Sequence, residues 1–248
     1  MTSRFTIVAA LLLLAGCGGG GTGNVPMTPV KPSPGTSGTP GTSTPNTSGT
    51  PGTTTPAPAP TRNVLNARIT EAGRVRAELQ SLDQTRIADV PTSGRSVFTG
   101  PAIMTVSQGA KSYQMVGDSR VAVDFGSRAV TGNVKNIQGR RENQSTFTAS
   151  GGIDYSNGTL GTGRSANILA FDYAGNLKVG SDKIGLDGTA IGALYDNPAS
   201  GKTPPQGLQA LDGTPSSQIG QSVRTPNMTA TVNGKTAVGQ IYVGGRKN

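Results

Sequence analysis

Few residues in this chain carry the chemistry of a reactive site, and their types narrow what that chemistry could be. Of 248 residues one is cysteine, Cys17, and none is histidine. Without imidazole there is no Ser-His-Asp triad, no His-ligated zinc and no His-ligated haem. Neither a G-x-S-x-G string nor a P-loop occurs. Asp182 and Asp187 flank Lys183-Ile184-Gly185-Leu186 at a spacing resembling a calcium loop, yet one basic and two apolar residues stand where oxygen ligands are needed. Tyr113, Tyr155, Tyr173, Tyr195 and Tyr242 could offer a tyrosinate to haem, and packing of each ring in a β-wall is the competing reading. The expectation is a protein that is not an enzyme, with no catalytic residue, no metal site and no cofactor. Its ligand-binding residues are not assignable from the sequence.

Cys17 is placed by the elements around it. A basic start, Met1 to Arg4, leads into the apolar run Phe5 to Leu14 and then small residues, the layout of a secretory signal over residues 1–16. The run is shorter than the roughly 20 residues a membrane-spanning helix needs. Leu14-Ala15-Gly16-Cys17 resembles the bacterial lipobox at all four positions. That resemblance implies cleavage before Cys17, acylation of its thiol with palmitate-type chains, and acylation of the new amine. An unpaired cysteine in a secreted chain asks for a reason, and lipidation supplies one. Two or more chains hold a protein stably on a bilayer, at about 0.8 kcal/mol per buried methylene. By resemblance to enterobacterial lipoprotein sorting, Gly18 in place of Asp after the cysteine favours the outer membrane over the inner one.

Residues 17–61 read as a disordered tether. Gly, Thr, Pro and Ser dominate, Lys31 is the lone charge, and ten of the 17 prolines fall here. Thr-Ser-Gly-Thr-Pro-Gly-Thr occurs at Thr36 to Thr42 and again at Thr47 to Thr53. With no apolar surface to bury, such a segment does not offset its ordering entropy. Its reach is on the order of 40 Å as a coil and roughly 140 Å when stretched.

Residues 62–90 form a helical junction. Leu65, Ile69, Ala72, Val75, Leu79 and Leu82 recur at spacings of three and four, an amphipathic helix with Arg68, Glu71, Arg74, Arg76 and Glu78 mostly on the other face. Packing against the following domain and lying on an anionic membrane surface both fit. The small apolar face favours the first.

From Pro91 to Asn248 short alternating segments are separated by Gly, Asn, Asp and Ser. The expected strands are Ser96 to Val106, Ser112 to Val116, Arg120 to Phe125, Ala129 to Ile137 and Ser145 to Ala149. They continue with Ala166 to Tyr173, Leu177 to Ile184, Thr189 to Tyr195, Met228 to Val232 and Thr236 to Val243. Asn233-Gly234 signals a type I′ hairpin, Ala174-Gly175-Asn176 reads as another turn, and 197–226 as a long surface loop. The fold class is all-β: an antiparallel up-and-down β-barrel of eight strands, within a range of eight to ten, preceded by the disordered linker and one short helix.

Gly94 to Gly100 and Ser119 to Val134, with Val123-Asp124-Phe125 followed by Val130-Thr131-Gly132-Asn133-Val134, resemble the β-barrel domain of transferrin-binding protein B. Ile191 to Tyr195 is similar to that family's late Gly-x-Phe-Tyr-Gly strand, with Asp196 in place of the last glycine, and Ala237 to Tyr242 sits where its closing strand belongs. The resemblance implies a lipoprotein, often displayed on the outer cell surface, whose eight-stranded barrel supports the binding of host proteins or of haem and iron carriers. It names no ligand for this chain.

The balance of 22 Lys and Arg against 13 Asp and Glu, a formal +9, favours anionic partners such as acidic proteins, anionic glycans or lipopolysaccharide phosphates. Arg140-Arg141 and Arg246-Lys247 are local clusters. No aromatic-studded basic groove suggests nucleic acid. A monomer is expected, held to the membrane through its lipid. Two functions follow: a surface binding module for a host or envelope protein, or a structural envelope lipoprotein without a soluble ligand.

Overall fold

The computed structural model describes residues 58–213 and 227–248. The signal segment, Cys17 and the tether up to residue 57 lie outside the described residues. The elements are helix α1 (Arg62–Gln80) and strands β1 (Asp83–Gln84), β2 (Arg95–Gln108), β3 (Lys111–Asp124), β4 (Ala129–Arg141), β5 (Thr146–Thr148), β6 (Ile153–Leu160), β7 (Ile168–Val179), β8 (Asp182–Asp196), β9 (Gly207–Gly213), β10 (Thr229–Val232) and β11 (Lys235–Lys247).

The strands form a closed antiparallel barrel of eight positions. From β2 to β8 the wall runs up and down in chain order, β1 pairs with the end of β8, and β11 closes onto β2 with Ile241 opposite Met104. Two positions are each filled by two strands in line. β5 and β6 both lie along β4. β9 and β10 both lie between β8 and β11, Leu211 opposite Ile191 and Tyr242, and Ala230 opposite Leu186 and Ala237.

Turn chemistry sets the hairpins. Asn233 and Gly234 both take positive φ, 52° and 76°, as a type I′ turn requires. Gly109 and Gly180 take positive φ at the first position of the two-residue β2–β3 and β7–β8 turns. In the β3–β4 connection Asp124 Oδ1 accepts from Ser127 N at 2.8 Å and Ser127 Oγ at 2.9 Å, which fixes the Val-Asp-Phe turn.

Five sequence expectations are corrected. Leu177 to Ile184 is not one strand, because the β7–β8 turn at Gly180 and Ser181 divides it. Ala174-Gly175-Asn176 is not a turn: β7 runs through it. Gly175 is a glycine because a Cβ there would lie 2.6 Å from Gly152 O and 2.7 Å from Ile153 Cγ1. Ser112 to Val116 and Arg120 to Phe125 belong to one long strand, β3. The segment 197–226 is not all loop, since it holds β9, buried along nearly its whole length. The helix ends at Gln80, so Leu82 lies beyond it. β6 had no counterpart in the sequence reading. Its alternation is broken by Asn157, at φ 50°, in a register shift that puts Gly158 and Leu160 in step where odd-numbered Ile153 and Tyr155 precede them.

Inward side chains from every wall meet in one continuous core that includes Phe98, Met104, Tyr113, Val134, Phe171 and Ile241. A bulge at Asn136 (φ 52°) switches the inward parity of β4 from Val130 and Val134 to Ile137. Both ends are tied. At one, the turns of β2–β3, β7–β8 and β10–β11 converge on Asp182. At the other, Thr85 N donates to Leu194 O, Asn167 Nδ2 donates to Thr85 O, and Val90 enters the core.

Candidate functional site

α1 is capped by Thr61, whose Oγ1 accepts from Val64 N, and it crosses the outside of the barrel. Just before it, Thr146 Oγ1 and Thr148 Oγ1 of β5 donate to the carbonyls of Pro60 (2.7 Å) and Pro58 (3.0 Å). Leu65 and Ala72 pack with Val116, and Ile69 and Ile103 flank them. Arg76 lies 5.1 Å over the ring of Tyr242, an outward residue whose hydroxyl donates to Gln209 Oε1 at 3.0 Å. Leu79 reaches the bare backbone of Gly207. Arg68 donates to Asn136 O and pairs with Asp118, and Arg246 of β11 pairs with Glu78. The helix thus packs on the barrel, as its small apolar face favoured. No helix among the described residues is long and apolar enough to cross a membrane.

Beside α1 this docking leaves a groove of about 780 Å³. One flank is the helix strip Ala67, Glu71 and Val75. The floor includes Pro101 and Val116. The far rim is sheet surface, with Arg120, Asn133 and Lys135. Register explains the rim. Arg246 stands opposite Thr99, Thr99 opposite Arg120, and Arg120 opposite Asn133, one row across β11, β2, β3 and β4. Lys135 stands opposite Asp118 in the next row.

The free charge in this groove is positive. Glu71 is held by Arg74, at 2.7 and 2.8 Å, and that pairing lowers its carboxyl below the usual range. Asp118 is taken by Arg68 and by Asn136 Nδ2. The exposed side chains of Arg120 and Lys135 have no hydrogen-bond or ion-pair partner among the described residues, and the buried Arg246 Nε has no acceptor there. A second recess, about 390 Å³ over Ile191, Tyr195 and Leu211 on β8 and β9, has no charged residue in its wall.

The residues singled out in the sequence fall elsewhere. Four tyrosines are buried and bonded: Tyr113 to Asp182 (2.7 Å), Tyr155 with Ser119 (3.2 Å), Tyr173 to Asp212 (3.0 Å) and Tyr242 to Gln209. Burial, the first cause in every case, raises the hydroxyls of all five tyrosines, against the tyrosinate form. Asp182 takes Lys111 Nζ at 2.6 Å and Asn233 Nδ2 at 2.8 Å besides Tyr113, so its carboxylate is occupied as a turn clasp. Arg140 donates to Gln114 Oε1, and Arg141 covers Phe147 at 5.3 Å. Arg246 alone of those clusters lines the groove. The sequence reading missed Arg120, Asn133 and Lys135 as a set. Their signal was present in the outward positions of two paired strands, but the groove exists only once α1 is laid beside them.

No protein-family model and no curated protein sequence matches the chain.

Proposed function

We propose that this chain is a lipid-anchored lipoprotein of the outer membrane that presents a β-barrel binding module, displayed at the cell surface, with the groove beside α1 as its ligand contact. Cys17, the only cysteine, behind an apolar signal supports the anchor. The order of strand motifs supports a barrel of the transferrin-binding protein B type. One observation carries the binding role. The barrel is filled by its own side chains and tied at both ends, while a cation-rimmed groove opens on its outer wall. A filled barrel acts as a rigid mount, and contact with a macromolecule then belongs to its outside.

The test has two parts. Cys17→Ser abolishes incorporation of radiolabelled palmitate and releases the chain from the membrane fraction. A photo-crosslinking residue placed at Asn133 captures an envelope or host component on intact cells, whereas one at the exposed Thr236 does not. Equal capture, or none, at both positions sinks the groove reading and leaves a structural envelope role.

A further inference from the structure

We infer that the groove beside α1 takes an extended acidic peptide segment of a partner protein, with carboxylates alternating with small apolar side chains. The inference rests on the binding-module reading above and adds the ligand's chemistry.

Three features set that chemistry. The first is dimensions. Ala67, Glu71 and Val75 span about 12 Å of helix at 1.5 Å per residue. The row from Arg246 to Asn133 crosses three strand spacings, about 14 Å. An extended chain covers such a length in about four residues. The groove is therefore a trough for a strand-like segment, open along the Arg120 and Lys135 rim where both side chains are exposed.

The second is sidedness. Successive side chains of an extended peptide point to opposite sides. One set would meet the cations of the sheet. The other would face the helix strip at the exposed Ala67, where Ala72, Val75, Pro101 and Val116 are packed beneath and leave room only for small apolar groups. Alternation in the ligand follows from the two unlike walls.

The third is charge. Both acids in the groove are neutralised within the protein, whereas Arg120 and Lys135 have no partner among the described residues, and Arg246 holds a buried N–H without an acceptor there. Asn133, between Arg120 and Lys135, has a side-chain amide without a partner among the described residues and suits a peptide backbone. Recognition of acidic motifs by clustered arginine is a recurrent binding mode.

The experiment uses the full chain and a fluorescein-labelled ten-residue peptide in which Glu alternates with Val and Ala, followed by anisotropy. Arg120→Glu with Lys135→Glu weakens binding about tenfold or more, and the neutral pair Arg120→Gln with Lys135→Gln weakens it less. The charge-matched pair Lys178→Glu with Lys235→Glu, on β7 and β11 away from the groove, changes it by less than about twofold. Denaturation midpoints confirm that each variant folds. A peptide with Lys for Glu does not bind. Equal loss in the groove and distant pairs overturns the inference, because the attraction is then one of net charge alone. Displacement of the peptide by phosphatidylglycerol vesicles, but not by excess unlabelled peptide, overturns it in favour of a lipid surface. Absence of peptide binding while the Asn133 crosslink persists overturns the ligand class and leaves the binding module standing. Absence of both removes the two together.

Discussion

The hydroxyl of Tyr113 donates to one oxygen of Asp182 at 2.7 Å while Lys111 Nζ holds the other at 2.6 Å. Asn233 adds a third bond at 2.8 Å. Three hairpin turns are thereby joined through one carboxylate at the barrel's end. These partners, Lys111 first, hold the Asp182 carboxyl well below the usual carboxylate range. A depressed folded-state pKa gives stability that is fully present above the unfolded value of about 3.9 and lost as pH falls through the folded one. Asp182→Asn is expected to cost about 1.5–3 kcal/mol at pH 7. Urea unfolding at pH 7 and pH 3 checks it: the gap between wild type and variant narrows at the lower pH. An equal gap at both refutes the clasp.

Gly73 sits within α1 with open space around a would-be Cβ. Gly73→Ala is expected to stabilise the protein by up to about 1 kcal/mol, since glycine is the poorer helix former. A thermal melt reads this as a raised midpoint.

The same substitution reverses sign at Gly132. A Cβ there would lie 2.1 Å from Arg120 O and 2.7 Å from Tyr155 Cδ2. Backbone cannot yield as a flexible side-chain tip can, so Gly132→Ala is expected to cost about 1–3 kcal/mol. Chemical denaturation measures it, and a neutral result would mean that β3 and β4 separate more easily than their packing indicates.

Leu79, 1% exposed, is the apolar anchor at the far end of α1. Leu79→Ala is expected to cost about 2–5 kcal/mol. Hydrogen exchange should locate the loss, with faster exchange over 62–80 and protected strands retained. Uniform acceleration through the barrel would show that helix and barrel unfold as one unit.

Local chemistry made part of this fold legible. Asn233-Gly234 forced a hairpin, alternation marked β2 and the paired strands around Val123 and Val130, and spacing marked α1. Most failures came where glycine served sterics rather than turning, and one where Gly180 turns inside Leu177 to Ile184, a segment that reads as a single strand. Gly175 has no Cβ because β6 crowds it, and Gly117 because Val134 and Ile137 do, so two continuous strands read as broken ones. β9 was hidden because proline-rich flanks surround it. The groove was illegible for a different reason. Arg120 and Lys135 are ordinary exposed cations in sequence, and their significance depends on Arg68 and Glu71 arriving from a helix about 50 residues away.

The hydroxyls of Thr146 and Thr148 have a mechanical consequence through the carbonyls of Pro60 and Pro58 that they hold. A tensile load entering through residue 58 meets these two bonds first, then the Thr61 cap and the length of α1, and then β1 on β8, before it reaches β2. The attachment is a strain relief of the kind fitted where a cable enters a housing. Traction would load β5 through these two bonds and, once they part, peel α1 and open the groove's flank before the long strand pairings of the barrel give way.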